Sequence, residues 1–319
     1  MSGSFFEVSG AIPRDSVAVP RECPGDSPHA SAATEENKIP WWLWWNVLSL
    51  DAPLVAVAWL ALFANSNRQR LPAVNYVALA LTVWIIYASD RLLDGWTAKS
   101  REALRERHRF SSERRLMLGL LLAAASTTMF LLVRARLPTE EAVAGLKLGV
   151  LVAAYMAGIH LWQSATGWLR CKEIAVGSVF ALGTTLPLWS EAARLSPRIL
   201  APWIFFGLLC CLNTWSIERW EKRSSQNSGG ANPHRMGPRP EGDIAWLAGG
   251  LAAAALVTAA VSWAGNRFAT ELLAVALGAT LIMLINFARK NLSAAALRVL
   301  ADVALLVPPG VMLLRSWQA

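Results

Sequence analysis

Two carboxylates four residues apart, Asp90 and Asp94, close a long apolar run in the stretch Tyr87-Ala88-Ser89-Asp90-Arg91-Leu92-Leu93-Asp94. At helical pitch residues i and i+4 share one face, so both acids would point the same way. They fall where the apolar segment beginning at Val74 gives way to a run dense in Arg, a pattern expected at a membrane–water boundary. Paired carboxylates there suit a divalent metal, and a metal there suits an anionic phosphate ligand. A second pair, Glu218 and Glu221, stands at i,i+3 in Asn213-Thr214-Trp215-Ser216-Ile217-Glu218-Arg219-Trp220-Glu221. If the two helix ends meet, their carboxylates converge beside many Arg, an arrangement suited to two magnesium ions bridging a diphosphate.

The elements that must position these acids are apolar. The chain is 55% hydrophobic and only 16% charged, which excludes an ordinary soluble globule. Nine apolar segments follow one another, at about 46–64, 72–92, 114–133, 142–163, 172–190, 198–217, 244–264, 268–287 and 294–314. Each approaches the length needed to cross about 30 Å of hydrocarbon. Helices alone satisfy their own backbone in lipid at that length, so the expected fold is all-α, a polytopic bundle of nine transmembrane helices. Sixteen Trp against three Tyr, with the cluster Trp41-Trp42-Leu43-Trp44-Trp45 ahead of the first segment, fit interfacial anchoring.

The net charge of +8 is not gathered in a nucleic-acid-binding block but spread over the connections. With the N-terminus inside, inner regions carry 20 Lys and Arg and outer regions 8, which places the N-terminus in the cytoplasm and the C-terminus outside. The expected location is the cell's inner or plasma membrane. Residues 1–40, rich in Ser, Pro, Glu and Gly, read as a disordered cytoplasmic tail without a secretory leader, and 41–319 as the membrane domain. Two inner connections are long: Gly95 to Glu113, whose Ala, Leu, Glu and Arg favour a short surface helix, and the Ser-, Gly-, Asn- and Pro-rich Lys222 to Asp243. Cys23, Cys171, Cys210 and Cys211 show neither metal nor disulfide spacing and read as small apolar filler.

Nine segments, with acidic motifs after the second and the sixth, resemble the UbiA-type intramembrane prenyltransferases over roughly Asn46 to Ser316. The resemblance implies a bundle around a central cavity in which magnesium holds a prenyl diphosphate. Carried over residue by residue, it makes Asp90 and Asp94 the first metal motif and Glu218 and Glu221 the second. Lys172, in Arg170-Cys171-Lys172-Glu173, stands where the family has a basic residue opening helix five. Asp90, Asp94 and Lys172 are then the expected catalytic residues, with Asn213, Arg91, Arg107, Arg109 and Asp51 contacting substrate. The implied reaction moves a prenyl group from its diphosphate to an aromatic or lipid-soluble acceptor inside the bilayer. Two departures stand out. Ile86 and Tyr87 occupy places where the family carries Asn and Asp, and the second motif has Glu where Asp is usual.

Each candidate has a plainer role beside the chemical one. Asp90 and Asp94 are equally placed for helix-end ion pairs with Arg91 or the loop arginines, and Glu218 and Glu221 for pairing with Arg219, Lys222 and Arg223. Lys172 also serves as a positive-inside anchor, and Arg105, Arg107, His108 and Arg109 as membrane-surface contacts. Asp302 lies inside the ninth segment four residues from Arg298, and a neutralised local pair that locks packing accounts for both. Asp51, His160 and Gln163 suit interhelical hydrogen bonds. A non-catalytic transporter or isoprenoid binder of the same fold is the alternative function. A phosphatidyl-group transferase is disfavoured, because the Asp-Gly-x-x-Ala-Arg run that goes with its acids is absent.

Overall fold

Trp59 and Phe63, one turn apart on the first helix, are completely enclosed, and the bundle packs around them. In the computed structural model residues 48–97, 115–161, 172–191, 197–228, 243–263 and 269–318 are described. All of them belong to the unit Pro40–Ala319. They form nine α-helices: α1 (Asp51–Ser66), α2 (Ala73–Thr97), α3 (Arg115–Arg136), α4 (Thr139–Leu161), α5 (Lys172–Glu191), α6 (Pro197–Ser228), α7 (Asp243–Trp263), α8 (Ala269–Ala288) and α9 (Ala294–Gln318). A short 3-10 turn, Arg289–Asn291, joins α8 to α9, and no strand occurs among the described residues. The expected tail, the Trp41–Trp45 cluster and the Arg-rich loop with Arg105, Arg107, His108 and Arg109 lie outside the described residues, as do Cys23, Cys171 and Gln163.

Helix order and positions follow the apolar segments, but only seven helices are long and apolar enough to cross a membrane. The two exceptions are α1 and the apolar part of α5, Ile174–Trp189. Sixteen residues span about 24 Å at 1.5 Å per residue, short of a full hydrocarbon core. The first helix also begins later than the apolar run suggests. Ser49 takes a positive φ of 59° and turns the chain just before Asp51. Trp84 of α2 holds this turn by donating its indole N–H to the Leu48 carbonyl at 3.1 Å. At the other extreme α6 runs on through Ser228, so Glu218 and Glu221 sit inside a helix rather than at its end. The extension is built from helix-favouring Glu, Arg and Lys, with Glu218 and Lys222 paired at i,i+4.

A helix apolar on every side is a buried one, and α1 shows why. Trp59, Leu60, Leu62 and Phe63 are all fully enclosed. The Trp59 ring stacks on Phe206 of α6 with centroids 4.3 Å apart, and Phe63 meets the same ring edge-on at 5.8 Å. Phe180 of α5 closes in at 6.4 Å. The Trp59 indole N–H donates to the Leu305 carbonyl of α9 at 2.8 Å, so one residue ties α1 to both α6 and α9. By contrast, no residue in the spanning stretch of α3 is buried, and Leu116, Leu120 and Phe130 are largely exposed. Such a surface is compatible with a lipid bilayer and not with water.

The α5–α6 crossing is tighter than any side chain allows. A Cβ on Gly177 would stand 2.6 Å from both the backbone nitrogen and the Sγ of Cys211. Close backbone approach through small residues is the usual means of packing helices in lipid. Gly177→Ala is therefore expected to destabilise the fold by about 1–3 kcal/mol, because backbone atoms cannot yield as a flexible side chain would. Thermal unfolding in detergent reads this, and a midpoint equal to that of the unaltered protein would refute the tight crossing.

Candidate functional site

Side-chain links pair the later turns of the even-numbered helices with the first turns of the odd-numbered ones. Trp84 of α2 reaches Leu48 ahead of α1, Cys211 of α6 faces the Ile174 carbonyl of α5 at 3.7 Å, and Arg219 of α6 meets Asp243 of α7 at 3.3 Å. Glu221 of α6 pairs with Arg298 of α9, and Trp220 donates to Asn286 of α8 at 3.1 Å. These links define one charged end of the bundle, and both acidic motifs lie there.

Tyr87 is the meeting point at that end. It stands one turn before Asp90 on α2 and within electrostatic reach of Asp51 on α1, Asp302 on α9, Cys210 on α6 and Asp90 itself. Asp90 also acts on Tyr155 of α4. Carboxylates from three helices thus lie within electrostatic range of one phenol, although their sequence positions are up to 251 residues apart. Asp51 is buried, Asp302 half-buried and Asp90 exposed, a progression from the bundle interior outward. Asn213 follows Cys210 by one turn of α6. It is 7% exposed, and its Oδ1 has no hydrogen-bond partner.

The remaining expected residues divide. Arg91 is buried at 5% exposure and already engaged, so it serves the protein interior. Glu218 is held by Lys222 on the same helix. Glu221 and Arg298 form an ion pair across α6 and α9 with both side chains nearly enclosed. Arg298, which the sequence alone associates with Asp302, therefore reaches another helix. The backbones of Asp94 and Lys172 are placed in α2 and at the start of α5, and that of His160 in α4. The side chains of all three lie outside the described residues, and Arg107 and Arg109 lie outside them entirely.

Among the described residues no three His, Cys, Asp or Glu side chains come close enough together to hold a metal ion. The candidate donors for one are oxygens: the solvent-exposed Asp90 carboxylate, with Asp94 one turn further along α2, and the unpartnered Asn213 carbonyl oxygen; Asp90 has interactions of its own within the protein. A hard divalent cation takes such oxygen ligands, so the donor types fit magnesium. Glu218 and Glu221 reach a metal only by giving up Lys222 and Arg298.

Sequence reasoning passed over Tyr87 and Tyr155 and gave Asp302 a purely local role. A signal was present, because Tyr87 lies at i−3 from Asp90 and so shares its helical face. Two of the chain's three tyrosines face Asp90. Comparison with known proteins finds no matching family model, no matching curated protein and no matching solved structure.

The Glu221–Arg298 pair carries a direct expectation. Arg298→Ala leaves a nearly enclosed carboxylate without its cation and should cost about 3–5 kcal/mol, whereas replacing both residues by Leu restores much of the loss. Unfolding of the single and double variants in detergent measures the coupling, and additive effects would show that the pair does not hold α6 to α9.

Proposed function

We propose that this chain transfers a prenyl group from a prenyl diphosphate to an aromatic or lipid-soluble acceptor, with magnesium holding the diphosphate. The observation that supports the reading best is that Asp51, Asp90 and Asp302, from three helices, lie within electrostatic range of Tyr87 at the charged end of an otherwise apolar bundle, with the unpartnered Asn213 oxygen one turn from Cys210 on α6. An intramembrane carboxylate is expensive and is kept for function or packing; three of them facing one tyrosine exceed what packing needs.

In this reading Asp90 and Asp94, on one face of α2, hold the metal, and Asn213 supplies a neutral oxygen beside them. Bound magnesium would offset the charge of the diphosphate as it leaves. Lys172 and the loop residues Arg107 and Arg109 supply cationic hydrogen-bond donors to the same leaving group. The carbon–oxygen bond to diphosphate breaks with its electron pair on oxygen, leaving an allylic cation. A nucleophilic atom of the acceptor forms the new bond to that carbon and gives up its proton. The apolar helices exclude water, which would otherwise capture the cation. Tyr87 and Tyr155 present aromatic rings near the same region, suited to a passing positive charge.

A second reading has its own support. Glu218 and Glu221 are engaged in ion pairs, as they would be in a protein of this fold that binds an isoprenoid without turning it over. Purified protein given a radiolabelled prenyl diphosphate separates the two. Magnesium-dependent binding with product in a lipid extract supports transfer; binding without product supports the binder. Asp90→Asn and Asp94→Asn are each expected to lower turnover by on the order of 100-fold or more. Full activity in the double variant would eliminate the metal role.

The orientation belongs to the same proposal. The excess of Lys and Arg on one set of connections places the N-terminus in the cytoplasm, and an odd number of helices puts the C-terminus across the membrane. An alkaline phosphatase reporter fused at the C-terminus should therefore be active in a bacterial host. An inactive fusion beside an intact chain would reverse the topology.

A further inference from the structure

Far from the charged end, the C-terminus of α1 meets the first turn of α8. Glu271, the third residue of α8, is completely enclosed, and neither of its carboxyl oxygens has a hydrogen-bond partner. The Ser66 hydroxyl, on the last residue of α1, and the backbone N–H of Glu271 itself lie toward that carboxyl without reaching hydrogen-bond geometry, and Ser66 Oγ is itself enclosed and unpartnered. Gln69 Oε1, three residues on, is another enclosed oxygen without a partner. Its backbone N–H is tied back to the Ala64 carbonyl at 2.9 Å, which keeps it against the end of α1.

The surroundings are apolar. Phe63 and Leu272, adjoining turns of the same two helices, are fully buried. The basic residues nearest in the α1–α2 connection, Arg68 and Arg70, are exposed. A wholly enclosed carboxyl with no counter-charge among the described residues is among the costliest arrangements a protein can hold. The carbonyl end of α1 brings negative potential to the same place, and the N-terminal end of α8, in whose first turn Glu271 lies, favours the ionised carboxylate over the neutral acid.

We propose that Ser66 and Glu271 form a site for a monovalent alkali cation, sodium first, which joins α1 to α8. One carboxylate with neutral oxygens balances one positive charge, and an all-oxygen set suits a hard cation rather than a thiolate- or imidazole-seeking metal. Gln69, three residues beyond Ser66, offers a further enclosed and unpartnered oxygen. The site is remote from Asp90 and independent of the transfer reaction.

Full-length protein in detergent, unfolded thermally with tryptophan fluorescence as readout, tests this in sodium chloride against choline chloride at equal ionic strength. Sodium is expected to raise the midpoint saturably, by on the order of 5 °C. Glu271→Gln, which keeps the shape and removes the charge, should abolish the sodium-dependent rise. Ser66→Ala should weaken the sodium affinity by on the order of tenfold. Equilibrium binding of radioactive sodium to the unaltered protein, expected at one ion per chain, decides the matter without relying on any variant. Equal midpoints in the two salts together with no bound sodium would overturn the site. An undiminished sodium effect in Glu271→Gln would do the same. A midpoint that follows pH but ignores sodium would assign the carboxyl to a proton instead and also overturn it.

Discussion

Trp59 holds together what chain length alone would leave loose. At sixteen residues α1 is too short for a confident crossing, yet it lies against α2, α5, α8 and α9. Stacking on Phe206 and donating to the Leu305 carbonyl, Trp59 uses both its apolar ring and its single polar hydrogen. In a medium where lipid tails compete equally for apolar contact, that combination matters more than greasiness. A short helix fixed this way carries Asp51 to the charged end and Ser66 to the opposite one. The two polar centres of the protein thus hang on one aromatic anchor.

Charge is distributed by a related logic. Ionised groups at the charged end are either paired across helices, as with Glu221 and Arg298 or Arg219 and Asp243, or drawn around Tyr87. Arg219 also lies over the Trp215 ring at 4.2 Å, a cation–π contact within α6. The pairings staple α6 to α7 and α9, while Asp51, Asp90 and Asp302 all lie within electrostatic reach of Tyr87.

Much of the fold was legible because its causes are local. Apolar runs of the right length predict helices, and all nine appear in the expected order. The errors are local too: the turn at Ser49 shortened α1, and a charged helix-forming stretch lengthened α6. The site was legible only in part. Asp90, Asp51 and Asn213 could be singled out by residue type and position along their segments. Arg298 and Asp302 could be related from their i,i+4 spacing, but that Arg298 also meets Glu221, 77 residues away, could not be seen in the sequence.

The sequence by itself determined that the chain is a membrane-type bundle of helices, that its acids cluster at segment ends, and which connections carry the positive charge. Each of these depends on neighbours within a turn or two, or on the simple need of backbone in lipid to bond to itself. Only the tertiary structure decided that Glu221 is paired with Arg298, that carboxylates from three helices lie within electrostatic range of Tyr87, and that Glu271 is enclosed with no counter-charge among the described residues. Those facts depend on the rotation of each helix about its own axis and on the helix it packs against. Both are settled by contacts such as Trp59 with Phe206 and Gly177 with Cys211, which join parts of the chain that no periodicity connects.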